Sequence, residues 1–333
     1  MSTSMTEPTT VAPAPAPRAG WRQQIDMPVL MAFLCIVLLL LLGSLYSPNF
    51  LSPQYLLQQL KVGAFLGIIA TGMMFVILIG QIDLSVPWTV AVGGMMASLC
   101  AAYGVAGEVF AIPFGILCGV ALGLVNGLVV AYLRVPSMII TLAVNSVAQG
   151  LMIFMSGGFA PQDSASPAMR FLAAGTLIPY VPNAVLVWAA TGLIAMFVLG
   201  RTTFGRAVYG IGNKEAAAYL SGVPTQRVIV GAFALCGGLA AFGGVLLAGY
   251  AGKASQGMGD TYLLPAIAAV VLGGTSILGG RGKYLGTIAG AILITLLQSI
   301  LSVMQIAEFA RQIIYGTLIV LMLLLYGRDK GMR

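Results

Sequence analysis

Long apolar runs separated by short polar segments dominate the chain from residue 28 onwards. A helix needs about 20 apolar residues to cross the hydrocarbon of a bilayer. Prolines stand at several ends of these runs, where the backbone donor that proline lacks is not needed by a helix interior. The pattern predicts an all-α membrane protein with about ten transmembrane helices. The predicted spans are 28–46, 63–80, 88–104, 109–131, 138–156, 185–200, 228–250, 262–280, 284–302 and 309–326.

The first 27 residues have a different composition, rich in Ser, Thr, Pro and Ala, with the run APAPAP at 12–17. Such a segment cannot bury enough apolar surface to fold, so we expect a disordered cytoplasmic tail. It is too polar for a signal peptide. The rest, 28–327, is predicted to form one ten-helix domain.

The charged residues indicate how the spans are oriented. Only 8% of the residues are charged, against roughly 25% in soluble domains. With the N-terminus in the cytoplasm and alternating spans, 12 of the 16 Lys and Arg residues fall on the cytoplasmic side. Membrane proteins favour this distribution. The net charge of +7 is therefore a topology signal and not a sign of a nucleic-acid partner, and both termini are predicted to be cytoplasmic.

The number of spans also allows an internal repeat. If spans 2–5 and 7–10 are related units, they are offset by five helices. An odd offset gives the two units opposite orientations in the membrane. Inverted repeats of this kind recur in transporters, and the sequence predicts one here.

The longest cytoplasmic segment, 201–227, contains the signals of a short helix. Asn213 is a suitable N-cap, the alanines around Ala217 favour helix, and Gly222 is a suitable stop. A helix over 214–221 is too short to be stable alone in water. We therefore expect it to dock into a partner, with a solvated loop as the alternative.

Four stretches, in order, resemble the permease subunits of ribose-type ABC importers, within the branched-chain amino acid/ribose permease superfamily. Residues 81–94 (QIDLSVPWTVAVGG) resemble the GIDLSVG motif of that family, and 203–223 resembles its coupling segment. Asn126-Gly127 with RVPSMIITLA (134–143) and AIAAVVLGGTSILGGRG (266–282) match two further blocks. The chain departs from the family at Gln81 and Pro87, where glycine is common, and at Leu263 and Pro265, where acidic residues are common.

The resemblance implies a permease subunit of the bacterial inner membrane, surrounded by lipid. Such a subunit forms the path for a small sugar or sugar-like solute from periplasm to cytoplasm. Implied partners are a second permease subunit (identical or related), two cytoplasmic ATPase domains that bind ATP and magnesium, and a periplasmic solute-binding protein. No cofactor is implied in this chain itself. The residues implied in coupling to the ATPase are Gly205, Arg206, Gly212, Asn213, Glu215, Ala216, Ala217, Leu220 and Gly222.

An Asp-Leu-Ser motif precedes the third span. Ser85 is predicted to be the N-cap of that span, because Pro87 then occupies the second helical position, where no donor is needed. Asp83 lies just outside the helix. Either it fixes a tight cytoplasmic connection, or it belongs to a broken helix that lines the translocation path.

The fifth span has a polar stripe, formed by Thr141, Asn145 and Gln149 at intervals of four residues, which places them on one helix face. These groups could line the solute path, or could hold neighbouring helices together. At the outer side, Tyr250, Gln256 and Asp260 could contact a delivering binding protein.

Two other function classes remain as alternatives. An ion-coupled secondary transporter would usually carry ionisable residues deep in its spans, and none is placed there centrally. An integral-membrane enzyme would need a catalytic constellation. The chain has no histidine, its four cysteines lack metal-ligand spacing, and its glycine clusters lack the spacing of a phosphate-binding loop. We expect no catalytic or metal site, and ATP hydrolysis by a separate subunit.

Overall fold

The computed structural model describes residues 27–157 and 164–328. The described chain is all-helical apart from turns and two isolated bridges, Ser164–Lys253 and Ile178–Val181. The tail predicted over 1–27 lies outside the described residues except for Met27, at which the first helix begins.

Twelve α-helices and two short 3₁₀-helices form the described part. The α-helices are α1 (Met27–Tyr46), α2 (Pro53–Leu78), α3 (Val86–Ala101), α4 (Gly104–Leu133), α5 (Ser137–Met155), α6 (Pro167–Ala174), α7 (Asn183–Arg201), α8 (Thr203–Leu220), α9 (Thr225–Ala251), α10 (Leu263–Leu272), α11 (Tyr284–Val303) and α12 (Glu308–Arg328). The 3₁₀-helices are Pro48–Leu51 and Asp260–Tyr262.

Six of these helices are long and apolar enough to cross a membrane, namely α2, α4, α5, α7, α9 and α11. Shorter apolar helical stretches lie in α1, α3, α10 and α12. The coarse prediction of an all-helical, multi-pass membrane protein is therefore confirmed. The count of ten spans stays a prediction.

The predicted continuous span over 262–280 is wrong. Its helical part, α10, has 10 residues, or about 15 Å at 1.5 Å per residue, which is half the hydrocarbon thickness. The helix ends before Gly274, whose φ is +89°. Residues 273–283 then follow an irregular path, which at membrane depth requires burial in protein or contact with water.

The helices α2 and α9 form the centre of the bundle. Of an apolar 18-residue stretch in each helix, 83% is buried in α2, whereas only 22% is buried in the peripheral α5. Helix α9 packs against α2, α3 and α4. The approach of α4 is close, since a Cβ atom on Gly237 would lie 2.2 Å from the carbonyl oxygen of Gly119. Small residues permit such contacts between membrane helices.

Candidate functional site

A buried hydrogen-bond cluster occupies the connection between α2 and α3. Asp83 is 1% exposed. Its Oδ1 accepts hydrogen bonds from the Ser85 backbone N–H (2.9 Å) and the Ser85 hydroxyl (2.6 Å). The amide of Asn126 on α4 donates to Ser85 Oγ at 2.8 Å and to Asp83 Oδ1 at 3.4 Å. A carboxylate that accepts from the backbone two residues ahead fixes a turn.

The cluster clarifies the Asp-Leu-Ser motif. Ser85 directly precedes α3, as predicted, but its hydroxyl donates to Asp83 and does not cap the helix. These contacts support the reading in which Asp83 fixes a tight connection. Sequence reasoning did not identify Asn126 as a partner of Asp83. The available signal was a polar amide inside an otherwise apolar span, which usually has a specific partner.

The polar stripe of α5 supplies hydrogen-bond acceptors to the chain that enters α3. The first turn of a helix leaves backbone N–H groups without a partner in the helix. Here α5 provides the acceptors, at positions spaced by four residues, both for Trp88 in that first turn and for Ile82 and Leu84 in the connection before it. The three bonds run from Ile82 N to Ser137 Oγ (3.4 Å), from Leu84 N to Thr141 Oγ1 (3.0 Å), and from Trp88 N to Asn145 Oδ1 (3.2 Å).

The three stripe residues named from the sequence therefore differ in role. Thr141 is fully buried and Asn145 is half-buried. Their bonds to the backbone around α3 favour the interhelical reading over the path reading for both. Gln149 lies one turn further on, is exposed, and makes no hydrogen bond to a described residue. Of the three, Gln149 is the one that is exposed and is not bonded to the segment that enters α3.

The predicted coupling segment forms α8, which begins much earlier than expected. The Thr202 hydroxyl caps the helix by accepting from Gly205 N at 3.1 Å. Burial of Val208 and Ile211 stabilises the first half. Lys214 then has an extended backbone (φ −163°, ψ 104°), so that a short second half follows it.

Two details of the predicted helix over 214–221 need correction. The second half starts at Glu215, and Asn213 is not its cap. Asn213 instead ends the first half of α8, and its side-chain amide donates to the Tyr209 carbonyl of that half at 3.0 Å. The stop at Gly222 is confirmed: this glycine has φ +82°, and the N–H of Val223 bonds to the carbonyl of Ala218 at 3.1 Å, as in a Schellman motif.

We call residues 215–220 the short helix. Its buried side is Ala218, while Ala216 and Ala217 are exposed, and Leu220 is 85% exposed. Beside it lies an open groove of about 450 Å³, lined in part by Arg206, Ala217 and Val223. The Arg134 guanidinium, at the end of α4, forms an ion pair with Glu215. The short helix thus presents small and apolar side chains to the outside.

Two glycines named from the sequence stand where backbones nearly touch. A Cβ atom on Gly205 would lie 2.3 Å from the carbonyl oxygen of Val198 on α7. A Cβ atom on Gly212 would lie 1.9 Å from the carbonyl oxygen of Leu78 on α2. Real Cβ atoms do not approach so closely, so both positions require glycine.

The residues predicted to face the outer side fall into two groups. Tyr250 is 41% exposed; its hydroxyl accepts from Gln58 at 3.0 Å, and Lys61 lies 5.0 Å from its ring centroid. Asp260 is exposed. Gln256 is half-buried and donates to Ser156 at 2.9 Å. Tyr250 and Asp260 are therefore available for contact with a partner. Within the described ranges, no cluster of three or more His, Cys, Asp or Glu residues could hold a metal ion.

Comparison with known proteins gives consistent matches over nearly the whole chain. Residues 55–323 match the family described as branched-chain amino acid transport system / permease component. The ribose import permease protein RbsC of Haemophilus influenzae is 33% identical over 303 residues, covering 90% of this chain and 93% of that protein. RbsC of Bacillus subtilis is 35% identical over 294 residues (88% and 91%). The L-arabinose ABC transporter permease protein AraH of Azospirillum brasilense is 33% identical over 328 residues (97% and 93%). No solved structure matches.

Proposed function

The chain belongs to the family of permease components of branched-chain amino acid transport systems and is a permease subunit of an ABC importer, and we propose that its solute is a small sugar or sugar-like molecule. The observation that carries this proposal is the similarity to two ribose permeases and an arabinose permease along about nine-tenths of the chain. Import would run from the periplasm to the cytoplasm.

The proposed assembly follows from the family and from the charge distribution. The subunit lies in the bacterial inner membrane with both termini cytoplasmic, which the location of 12 of 16 basic residues supports. It pairs with a second permease subunit, identical or related. Two cytoplasmic ATPase domains bind ATP and magnesium and drive transport, and a periplasmic binding protein delivers the solute to the end that carries Tyr250 and Asp260.

The spans are proposed to number ten, with an inverted repeat of spans 2–5 and 7–10. The described helices support the repeat through a similar arrangement at the start of each unit. Helices α2 and α9 have 26 and 27 residues. Each is followed by a glycine with positive φ, Gly80 (+77°) and Gly252 (+82°). Each then leads into a short apolar helix, through residues 79–85 before α3 and through a segment ending in the 3₁₀-helix Asp260–Tyr262 before α10.

The short helix, 215–220, is the proposed contact with the ATPase. Three features support it. It is held to the body by the buried Ala218 and ends in a fixed Gly222 turn. Its outer side bears Ala217 and the strongly exposed Leu220, which suit insertion into a groove of a partner. Leu220 is adjacent to the 64% exposed Tyr219, and contiguous exposed apolar surface is typical of a protein interface.

The solute path is proposed to run along the exposed side of α5, where Gln149 can offer both donors and acceptors to hydroxyl groups. An uncharged amide suits this position because burying a charge in a membrane path is costly. Thr141 and Asn145 would contribute indirectly, by fixing the start of α3.

A direct test is co-expression of this chain with a candidate ATPase and binding protein, followed by purification through a tag on the permease. We expect the ATPase to copurify, and its activity to rise when solute-loaded binding protein is added. The alternative of an ion-coupled secondary transporter predicts no stable ATPase partner and uptake that depends on an ion gradient. That result would overturn the proposal.

A further inference from the structure

Three backbone segments meet at one point on the side that we propose to be cytoplasmic. They are the end of α2 at Leu78, the irregular segment 273–283 after α10, and Gly212 at the end of the first half of α8. The N–H of Gly280 donates to the Leu78 carbonyl at 2.9 Å. A Cβ atom on Gly212 would lie 1.9 Å from that same carbonyl oxygen and 2.3 Å from the Gly280 nitrogen. The contact is therefore backbone to backbone. We call it the glycine junction.

Further contacts make the glycine junction tight. Gly279 and Gly280 have φ of +85° and +74°, a region that side chains disfavour. A Cβ atom on Gly279 would lie 2.7 Å from the Gly80 nitrogen, and one on Gly280 would lie 2.6 Å from Asn213 Oδ1. Apart from the Asn213 side chain, these contacts join backbone atoms. A displacement of one segment must therefore displace the others, because packed interiors have low compressibility.

A hydrogen bond adds a second link between α8 and segment 273–283. The hydroxyl of Tyr209 donates to the Gly282 carbonyl at 2.8 Å. A phenol is protonated at neutral pH, and burial raises the pKa of Tyr209 further, so the hydroxyl remains a donor. Within the same segment, Ser276 N donates to the Arg281 carbonyl at 2.8 Å, which closes a loop.

The three segments lead to different parts of the molecule. Gly212 lies two residues before Lys214, after which the short helix begins. Leu78 leads into the Asp83 turn and the start of α3, where Asn145 of α5 accepts a hydrogen bond from Trp88 N. Segment 273–283 separates α10 from α11. Non-helical segments between packed helices can absorb dihedral changes without breaking helical hydrogen bonds, and conformational transitions commonly use them as hinges.

We propose that the glycine junction passes movement of the short helix to the two non-helical segments, 79–85 and 273–283, and that Gly212 is the positioning residue that makes this possible. The proposal rests on the function proposed above, since it needs an ATPase that moves the short helix. A purely structural junction would hold the fold together equally well but would have no separate effect on how ATP hydrolysis is converted into transport.

The test uses the complete complex in proteoliposomes and compares Gly212→Ala with Gly200→Ala. Both variants add one methyl group to a helical glycine, but nothing lies within 4 Å of a Cβ atom on Gly200. We expect Gly212→Ala to keep the ATPase bound while solute transported per ATP hydrolysed falls about tenfold, a size typical of lost coupling. Gly200→Ala should keep the wild-type ratio. A wild-type ratio in Gly212→Ala would overturn the proposal.

A second variant covers the case in which Gly212→Ala does not assemble. Tyr209→Phe removes the bond to Gly282 without adding volume, and we expect transport per ATP to fall about fivefold, the size of one hydrogen bond. If Gly212→Ala fails to assemble and Tyr209→Phe keeps the wild-type ratio, the glycine junction is only structural and the proposal is wrong. Failure of the proposed function is distinct, because the wild-type complex itself would then show no ATP-driven transport.

Discussion

Replacing the acceptors on α5 should destabilise the start of α3. Thr141→Val keeps the shape of the side chain but removes the oxygen that accepts from Leu84 N at 3.0 Å. Asn145→Leu removes the oxygen that accepts from Trp88 N at 3.2 Å. Both N–H groups, which are partly buried, would then lose their partner within the protein.

The size of the effect follows from the two bonds. Loss of a helix cap costs about 1 kcal/mol, and a buried donor left without a partner costs about 1–3 kcal/mol. Thr141 is fully buried, so Thr141→Val should lie in the upper part of this range. Asn145 is half-buried, and water can partly replace its oxygen, so Asn145→Leu should cost less.

The assay is thermal unfolding of the purified permease in one detergent, combined with amide hydrogen exchange. We expect the unfolding midpoint to fall by about 2–6 °C in each variant, and exchange to accelerate at the amides of Leu84 and Trp88. Gln149→Leu is the matched control: it removes an amide from the same helix face, but that amide binds no described residue, so its midpoint should not change. Equal midpoints for Thr141→Val, Asn145→Leu and the control would refute the capping argument.

Three further predictions concern the connection, the coupling and the topology. Asp83→Asn keeps an acceptor for Ser85 and should preserve most of the folded yield, whereas Asp83→Leu, which loses the bonds at 2.6 and 2.9 Å, should lower it; equal yields from gel filtration would remove the structural role. Ala217→Trp should place a large ring in the groove beside the short helix and reduce copurification of the ATPase. The control Tyr180→Trp changes an exposed residue outside the short helix and should not reduce it. Normal ATPase retention in Ala217→Trp would mean that the ATPase contacts another part of the permease. A cysteine at Arg206 should react with an impermeant thiol reagent only from the cytoplasmic side, and one at the exposed Leu177 only from outside; labelling of both from one side would contradict the proposed topology.

Hydropathy predicted the long helices well, because each is a run of apolar residues bounded by a breaker. It failed at 262–280, where the run contains Gly273-Gly274 and Gly279-Gly280. Glycine adds little polarity, so the run looks continuous. The chain instead uses glycine for positive φ at Gly274, Gly279 and Gly280, a conformation that glycine adopts without steric cost and that a hydropathy pattern does not register.

The first half of α8 illustrates the opposite failure. Gly205 and Gly212 lower helix propensity, so the sequence favoured a loop before Asn213. The helix forms because Val208 and Ile211 are buried against the bundle, and tertiary packing outweighs propensity at this length. The glycines are required by close contacts with α7 and α2, which no local pattern reveals.

The polar residues of the candidate site were identified from the sequence, but most of their partners were not. Thr141 and Asn145 were recognised as one stripe from their spacing. Their bonds reach backbone groups 57 positions away in the chain, and single-sequence reasoning has no access to such pairings. Asn126 was overlooked as a partner of Asp83 for the same reason, at a separation of 43 positions.

Solute uptake into proteoliposomes tests the central claim most directly. The vesicles would contain this permease with its ATPase, and the binding protein would be supplied outside, loaded with radiolabelled ribose or arabinose in turn. The account predicts uptake of at least one small sugar that requires ATP on the ATPase side, requires the binding protein, and persists when ion gradients are collapsed by ionophores. Uptake that proceeds without ATP or ATPase and disappears with the ion gradient would contradict it.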